Sequence, residues 1–177
     1  MRSSAMGAPE LAAPSPAAQP DGKPGPEFGP WLEKASILIV DDEPGMRNFL
    51  LRTLGPRAKR VEEAADCEEA TKLLDQHHFD VVILDNIMPG KSGVEWLTEQ
   101  REIGFFSDAI LMTAYADLDT AIKALRAGAV DFVLKPFRSN QILNAVARCL
   151  DRMRLRRENH VLRHELRATS DHALLRD

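Results

Sequence analysis

Cysteine and long apolar runs are scarce in this chain, and positive charge is not in excess. The two cysteines, Cys67 and Cys149, form no CxxC pair, so the sequence indicates neither a disulfide framework nor a thiolate metal site. The longest apolar runs, such as residues 81–84, are too short to cross a bilayer. A formal net charge of -4 favours neither nucleic acid nor an anionic membrane as a partner of this chain. We therefore expect a soluble, cytoplasmic protein.

The N-terminal stretch differs in composition from the rest of the chain. Residues 1–30 hold seven of the eleven prolines, set among alanine, glycine and serine. Such a segment cannot bury enough apolar surface to offset the entropy of ordering its backbone. The composition predicts a disordered arm over residues 1–34.

From Ser36 onward, short apolar runs alternate with amphipathic stretches, which is typical of repeated βα units around a parallel sheet. Continuous apolar runs at residues 37–40 and 81–84 predict two buried central strands. The predicted strands are Ser36–Val40, Lys59–Ala64, Val81–Leu84, Ala109–Met112 and Asp131–Leu134. The predicted helices are Pro44–Leu54, Glu68–Gln76, Gly93–Glu102, Leu118–Ala127 and a last one from Ser139. Five such units predict an α/β domain over residues 35–150, with a flavodoxin-like, doubly wound, five-stranded parallel sheet in the order 2-1-3-4-5.

The last predicted helix has no glycine or proline to end it and extends through residues 151–177 as a linker. Five of its side chains recur at alternate spacings of four and three, which predicts a coiled-coil seam, with a polar Asn159 that fixes the register, and hence a homodimer. The seam residues are Leu155, Asn159, Leu162, Leu166 and Thr169. The alternative is a single, frayed amphipathic helix. We expect the arginines at positions 152, 154, 156, 157, 163 and 167 to lie on a solvated face.

Polar side chains stand where four of the predicted strands end. Asp41 and Asp42 follow the first strand and Asp85 the third, while Thr113 and Lys135 follow the fourth and fifth. A doubly wound sheet brings these ends to one edge. Crowded carboxylates repel one another and are usually neutralised by a hard divalent cation, for which Mg²⁺ is the natural candidate. Asp85 is then the best-placed nucleophile and Lys135 the cation for a phosphoryl group.

Four sequence fragments occur in the right order at the ends of these strands. They are Ile39-Val40-Asp41-Asp42-Glu43, Asp85-Asn86-Ile87-Met88-Pro89-Gly90, Met112-Thr113-Ala114 and Lys135-Pro136-Phe137. Together they resemble the receiver domains of bacterial two-component response regulators, over residues 35–150. The resemblance is specific because all four fragments coincide.

The resemblance implies a role for each matched residue. Asp85 would be the phosphoacceptor, and Asp42, Asp85 and the backbone carbonyl of Ile87 would bind Mg²⁺ or a substituting Mn²⁺, with Asp41 acting through water. Thr113 and Lys135 would bind the phosphoryl group, helped by the backbone amides of Asn86 and Ala114. The Lys135–Pro136 peptide bond would be cis.

The resemblance also implies a switch and its partners. Thr113 would move toward the phosphoryl group, and the ring of Phe132 would swing inward behind it. The donor would be a sensor histidine kinase. The chain would be no conventional enzyme, although it would catalyse its own phosphorylation and, with apolar Ile87 and bulky Tyr115 near the acceptor, a slow self-dephosphorylation.

The sequence around Thr113 and the charged helix after the domain look like the NtrC-like class, which activates sigma-54-dependent transcription through an ATPase domain and a DNA-binding domain. Residues 173–177 loosely resemble the lead-in to that ATPase. A receiver of another class is the alternative assignment. In that case the same switch would control a different output.

Three readings of other kinds compete with this one. A haloacid-dehalogenase-type hydrolase also uses a strand-end aspartate and Mg²⁺, but it needs a second aspartate at position 87, which is Ile. A stand-alone interaction module would use the long helix to bind a partner and would not need Asp85. A zinc site at His160 and His164 lacks a third ligand.

Overall fold

The strands and helices alternate along the chain in the computed structural model, which describes residues 30–104, 107–114 and 118–174. The strands are β1 (Ser36–Val40), β2 (Arg60–Ala64), β3 (Val81–Asp85), β4 (Asp108–Ala114) and β5 (Asp131–Lys135). The helices are α1 (Pro44–Leu54), α2 (Cys67–Gln76), α3 (Gly93–Glu102), α4 (Leu118–Arg126) and α5 (Ser139–Leu174). A single turn of 3₁₀ helix, Leu32–Lys34, precedes β1.

The five strands form one parallel sheet in the order β2-β1-β3-β4-β5, as predicted. The order places β1 beside β3, with Val40 opposite Leu84. It also places β4 between β3 and β5, with Asp85 opposite Met112 and Ala114 opposite Lys135. The carboxyl ends of β1, β3, β4 and β5 therefore share one edge, which is where polar side chains were expected to meet.

Helices cover both faces of the sheet and divide the core in two. On one face, α1 and α5 pack against alternate residues of β1, β3 and β4, such as Ile39 and Ile83. On the other face, α2, α3 and α4 pack against the remaining ones, such as Leu84. Because β3 is buried at all five positions, it carries a continuous apolar run that ends in an aspartate. Cys149 and Cys67 belong to opposite faces and are both free thiols.

Three strands reach further toward the polar edge than predicted. β3 includes Asp85, β4 runs from Asp108 through Thr113 to Ala114, and β5 includes Lys135. Backbone pairing with the neighbouring strands extends each of them past its apolar run. At the opposite end of the sheet, β2 begins one residue later than predicted, at Arg60.

The C-terminal end of the predicted disordered arm is ordered in the structure. Leu32–Lys34 form the 3₁₀ turn, and Leu32 is 1% exposed in the same cluster as Leu150 of α5. Burial of Leu32 and Ala35, together with the backbone hydrogen bonds of the turn, stabilises this short segment. Residues 1–29 lie outside the described part of the chain.

The last helix, α5, is 36 residues long and continues well past the domain. From residue 155 to residue 173 its side chains are exposed, including Leu155, Leu162 and Leu166 of the predicted seam. The rings of His160 and His164 meet edge to face with their centroids 6.0 Å apart, and no third metal-ligating side chain joins them among the described residues. No helix in the described ranges has the length and apolar character needed to cross a membrane.

Candidate functional site

Three carboxylates and one ammonium meet at the carboxyl edge of the sheet. Asp41 follows β1 directly, Asp85 ends β3, and carboxylate oxygens of Asp41, Asp42 and Asp85 all lie within 4.8 Å of one another. The Nζ atom of Lys135, at the end of β5, lies 2.8 Å from Oδ1 of Asp85 and 3.6 Å from Oδ2 of Asp41. The predicted cluster therefore forms. β1 and β3 are neighbours, and the Lys135 side chain on β5 extends past the end of β4 to Asp85 on β3.

Asp41 is fully buried, yet its carboxylate is only half satisfied. Its Oδ1 atom accepts the backbone N–H of Glu43 at 2.8 Å, which fixes the turn into α1. Its Oδ2 atom is buried without a hydrogen bond. The backbone carbonyl of Asp41 accepts a hydrogen bond of 2.7 Å from Arg47, a contact that the sequence did not suggest. A buried oxygen that lacks a donor is suited to a cation or an ordered water.

Burial and crowding perturb the pKa values of the cluster. Burial raises the pKa of the Asp85 carboxyl above its usual range, and the charge of Asp41 adds to this, while the hydrogen bond from Lys135 acts in the opposite direction. Burial likewise raises the pKa of Asp41. Burial alone would lower the pKa of the Lys135 ammonium, but the hydrogen bond and charge of Asp85 outweigh it and raise that pKa. The single ammonium of Lys135 thus does not balance the charge of three carboxylates.

Thr113 supplies an unused hydroxyl at the same edge. It is 1% exposed, the last residue but one of β4, and its Oγ1 atom has no hydrogen-bond partner. A buried hydroxyl without a partner is costly unless a ligand completes it. Ala114 follows as the last residue of β4 and lies opposite Lys135 in the register.

The loop between β3 and α3 is fixed by Asn86. Its carbonyl accepts the N–H of Gly93 at 3.0 Å, and its side-chain oxygen accepts the N–H of Val94 at 3.2 Å. Ser92 and Glu95 complete the start of α3 with a reciprocal capping box. The Asn86 N–H donates to the carbonyl of Met112 at 3.1 Å and so continues the pairing of β3 with β4.

That bond corrects one prediction. The Asn86 amide was expected to donate to a phosphoryl group, but it is already committed to the sheet. Breaking a backbone hydrogen bond of the sheet would offset what an anion gains there. Asn86 therefore acts on the site by holding its loop.

Gly93 was missed by the sequence reasoning, although it shapes the site. A Cβ atom built on it would lie 2.4 Å from the carbonyl oxygen of Asp85 and 3.0 Å from Cα of Asn86. The first turn of α3 therefore approaches the backbone of the strand end so closely that only glycine fits. The sequence signal is a glycine directly after a serine N-cap.

The remaining predicted residues take distinct places around the cluster. The Ile87 side chain is 66% exposed two residues after Asp85. Phe132 is half-buried on β5 and packs against the cluster that contains Ala124 and Ala129. Tyr115 lies outside the described residues. The Lys135–Pro136 peptide bond is cis, as expected.

The donor set fits a hard divalent cation. Three carboxylates within reach of one another supply oxygen ligands, and one of these oxygens, the buried Oδ2 atom of Asp41, has no hydrogen bond. Asp42 is exposed, so the cluster opens to solvent on its side. The same edge thus offers a place for a cation and, between Thr113 and Lys135, donors for an anion.

The profile of the response regulator receiver domain matches residues 37–147, which contain all of these side chains. The chain belongs to the response regulator receiver family. Of the described residues that its family resemblance singled out, Asp41, Asp42, Asp85, Thr113 and Lys135 all lie at this edge.

The curated relatives of this chain include regulators that are much longer than it is. It is 35% identical over 136 residues to the C4-dicarboxylate transport transcriptional regulatory protein DctD of Pseudomonas aeruginosa, covering 77% of this chain and 29% of that protein. It is 37% identical over 134 residues to the regulatory protein AtoC of Escherichia coli, covering 76% and 29%. The chain thus spans less than a third of the length of either relative.

Solved structures show the same domain. The structure of NtrX from Brucella abortus superposes with a TM-score of 0.69 at 27% identity, covering 73% of this chain and 29% of that one. The isolated NtrX receiver domain matches with a TM-score of 0.62 at 26% identity and is covered over 98% of its length. The flavodoxin-like receiver fold is therefore the architecture of this chain.

Proposed function

We propose that this receiver domain is a phosphorylation-dependent switch that accepts a phosphoryl group on Asp85 from a phosphohistidine of a sensor histidine kinase. The observation that carries the proposal is the buried Asp85 carboxylate, paired with Lys135 at 2.8 Å beside the carboxylates of Asp41 and Asp42. A lone strand-end aspartate would be an ordinary helix cap. The combination with an ammonium, two further acids and an unpaired hydroxyl suits phosphoryl transfer.

The chain's own residues supply most of what the transfer needs. A carboxylate oxygen of Asp85 attacks phosphorus as the bond from phosphorus to the imidazole nitrogen breaks. Lys135 offsets charge on the equatorial oxygens, and the free hydroxyl of Thr113 donates to one of them. The backbone N–H of Ala114 is a further candidate donor.

Asp42, Asp85 and the backbone carbonyl of Ile87 would hold Mg²⁺, with Asp41 acting through a water molecule. When bound, the ion supplies the positive charge that the single ammonium of Lys135 leaves lacking. Mn²⁺ prefers the same oxygen ligands and is expected to substitute. Asp41 also positions the turn in which Asp42 lies, through its bond to Glu43.

The test of this function is whether the chain takes up a phosphoryl group. Intact mass spectrometry after incubation with acetyl phosphate and Mg²⁺ should show one phosphoryl adduct, and chelation of the metal with EDTA should prevent it. No uptake at all would leave a receiver-shaped module that acts by binding alone, and uptake that is indifferent to Mg²⁺ would contradict the part assigned to the metal.

Mg²⁺ affinity should fall as the solution is acidified. Because the pKa values of Asp85 and Asp41 are raised, protons compete with the metal as the pH falls toward and through those values. Each displaced proton weakens binding by up to about tenfold per pH unit. Isothermal titration calorimetry between about pH 8 and about pH 5 measures this. Asp75→Asn, on the exposed surface of α2, is the matched control and should leave the curve unchanged.

Asp85 phosphorylation is expected to shift Thr113 toward the phosphoryl group, with the half-buried Phe132 ring moving behind it. The exposed, apolar Ile87 cannot orient an attacking water, so we propose a slow self-dephosphorylation, which the lifetime of the acyl phosphate without a phosphatase measures. In the parent protein the switch would control an ATPase and DNA-binding output of the sigma-54-dependent class. The regulators DctD and AtoC support this class, and a different output remains the alternative.

We also propose a homodimer through the α5 seam. Leu155, Leu162 and Leu166 are 46%, 55% and 67% exposed, and a parallel partner helix would cover them. Sedimentation should give a dimer for the whole chain and a monomer for Leu162→Lys. Val161→Lys, one position off the seam and equally exposed at 55%, should remain dimeric. A monomeric wild-type chain at high concentration would remove the coiled coil.

A further inference from the structure

Arginines in the first turns of α5 beyond the domain contact three separate parts of the domain. They were expected on a solvated face. Instead, Arg152 donates to the carbonyl of Val130 at 2.9 Å, and Arg156 pairs with the carboxylate of Asp108 at 2.5 Å. The guanidinium of Arg154 lies 5.6 Å from the ring centre of Trp31. At about 100° per residue, Arg152 and Arg156 share one side of the helix and Arg154 points to the other.

The contact with Asp108 is the deepest of the three. Asp108 is the first residue of β4, and its side chain is 6% exposed at the end of the sheet opposite Asp85. A carboxylate buried to that degree needs a charged or hydrogen-bonded partner. Arg156 provides the ion pair, and the buried thiol of Cys149 donates to the same oxygen at 3.5 Å. The ion pair with Asp108 therefore holds the Arg156 side chain in one position against the domain.

Trp31 is the N-cap residue of the 3₁₀ turn and belongs to the stretch that was predicted to be a disordered arm. The ring of Trp31 contacts two cations, with Nζ of Lys34 at 5.7 Å and the guanidinium of Arg154 at 5.6 Å from its centre. Its neighbour Leu32 is buried in the core cluster that includes Leu150 of α5, so the segment is tied to the body. Met153, between the arginines, packs against the same cluster.

The helix changes character where these contacts end. Met153 and Arg154 are half-buried, whereas every described side chain from residue 155 to residue 173 is exposed. Arg156 is the last residue of α5 that pairs with a group in the body of the domain among the described contacts.

We propose that Arg152, Arg154 and Arg156 form an anchor, with Val130, Trp31 and Asp108 as its partners, that fixes the direction in which α5 leaves the receiver domain. The anchor holds the helix from two sides and makes its first turns an extension of the domain. Anything joined to the far end of α5 is then oriented by the receiver body. The proposal does not depend on phosphorylation.

Distance measurements by pulsed electron spin resonance on the whole chain test the anchor. Spin labels on Asp75→Cys and Arg163→Cys, both exposed positions, join the body to the helix in a Cys67→Ser background, while Cys149 is buried. Dilution with excess unlabelled chain removes distances between two copies. The anchored chain should give one narrow distribution, and Arg154→Ala combined with Arg156→Ala should broaden it at least about twofold, because local contacts set local rigidity.

Arg167→Ala is the matched control, since that arginine is exposed on the same helix beyond the anchor. It should leave the distribution unchanged. The side chains of Arg154 and Arg156 are 34% and 58% exposed, and the Cys149 thiol still donates to Asp108 in the double variant, which should therefore keep the circular dichroism of a folded domain. An equally narrow distribution in the double variant, or equal broadening in Arg167→Ala, would overturn the proposal.

Discussion

Asp85→Asn should take up no phosphoryl group from acetyl phosphate under conditions in which the wild-type chain carries one. The substitution keeps the shape of the side chain but replaces the carboxylate oxygen that attacks phosphorus with a far weaker amide nucleophile. It also removes one of the carboxylates within 4.8 Å that would hold the cation. Intact mass spectrometry of the two proteins, treated identically with Mg²⁺, measures the difference.

Loss of phosphorylation in Asp85→Asn can be separated from loss of structure. The raised pKa of Asp85 means that its charged form is disfavoured in the folded state. A carboxyl whose pKa is raised on folding lowers stability as the pH rises above its unfolded value, near 3.8. At neutral pH the neutral asparagine should therefore leave the domain at least as stable. Asp75→Asn, exposed on α2, should still be phosphorylated. An adduct on Asp85→Asn would place the acceptor elsewhere.

Gly93→Ala should destabilise the domain by about 3 kcal/mol, the upper part of the range for overpacked sites. The new methyl group would lie 2.4 Å from the Asp85 carbonyl oxygen, and neither side can easily move. The Asn86 N–H donates to the carbonyl of Met112 on β4, and the Gly93 N–H donates to the carbonyl of Asn86. The strand end must shift, so phosphorylation of Asp85 should also slow. Urea unfolding followed by circular dichroism measures the stability.

Gly45→Ala is the matched control for that substitution. Gly45 also lies in the first turn of a helix, α1, but the nearest atom to its added Cβ is a flexible Glu43 carboxylate oxygen 3.9 Å away. Because alanine favours helix over glycine, this change should be neutral or stabilising by up to about 1 kcal/mol. Equal destabilisation by both substitutions would mean that close approach at Gly93 is not the cause.

The sheet and its polar edge could be predicted because continuous apolar runs in the sequence specify the central strands. Apolar runs mark β1 and β3, and the first polar residue after each run marks the edge, which is how Asp41 and Asp85 were found. Thr113 and Lys135 were assigned to the right edge but placed after their strands. Their backbones pair with neighbouring strands, and that pairing is invisible in a single strand's own pattern.

The contacts that were missed depend on partners distant in sequence. Arg156 reads as one of several arginines on a charged helix, and only the folded chain brings it to Asp108, 48 residues away. Leu32 was assigned to the arm because it follows a proline-rich stretch, although its side chain is buried in the core. The Asn86 N–H was predicted to donate to a ligand because the local sequence does not show that it donates to the carbonyl of Met112.

The positions of the strands along the chain set the order in which a growing chain acquires the side chains of the polar edge. The three acids are all present once β3 has been synthesised, and pairing of β1 with β3 brings Asp41 and Asp85 together. The ammonium of Lys135 arrives only with β5, the last strand, and α5 follows it. A nascent chain therefore carries mutually repelling acids before it carries the cation that pairs with them. The charge balance of the polar edge is therefore completed only when β5 has been synthesised.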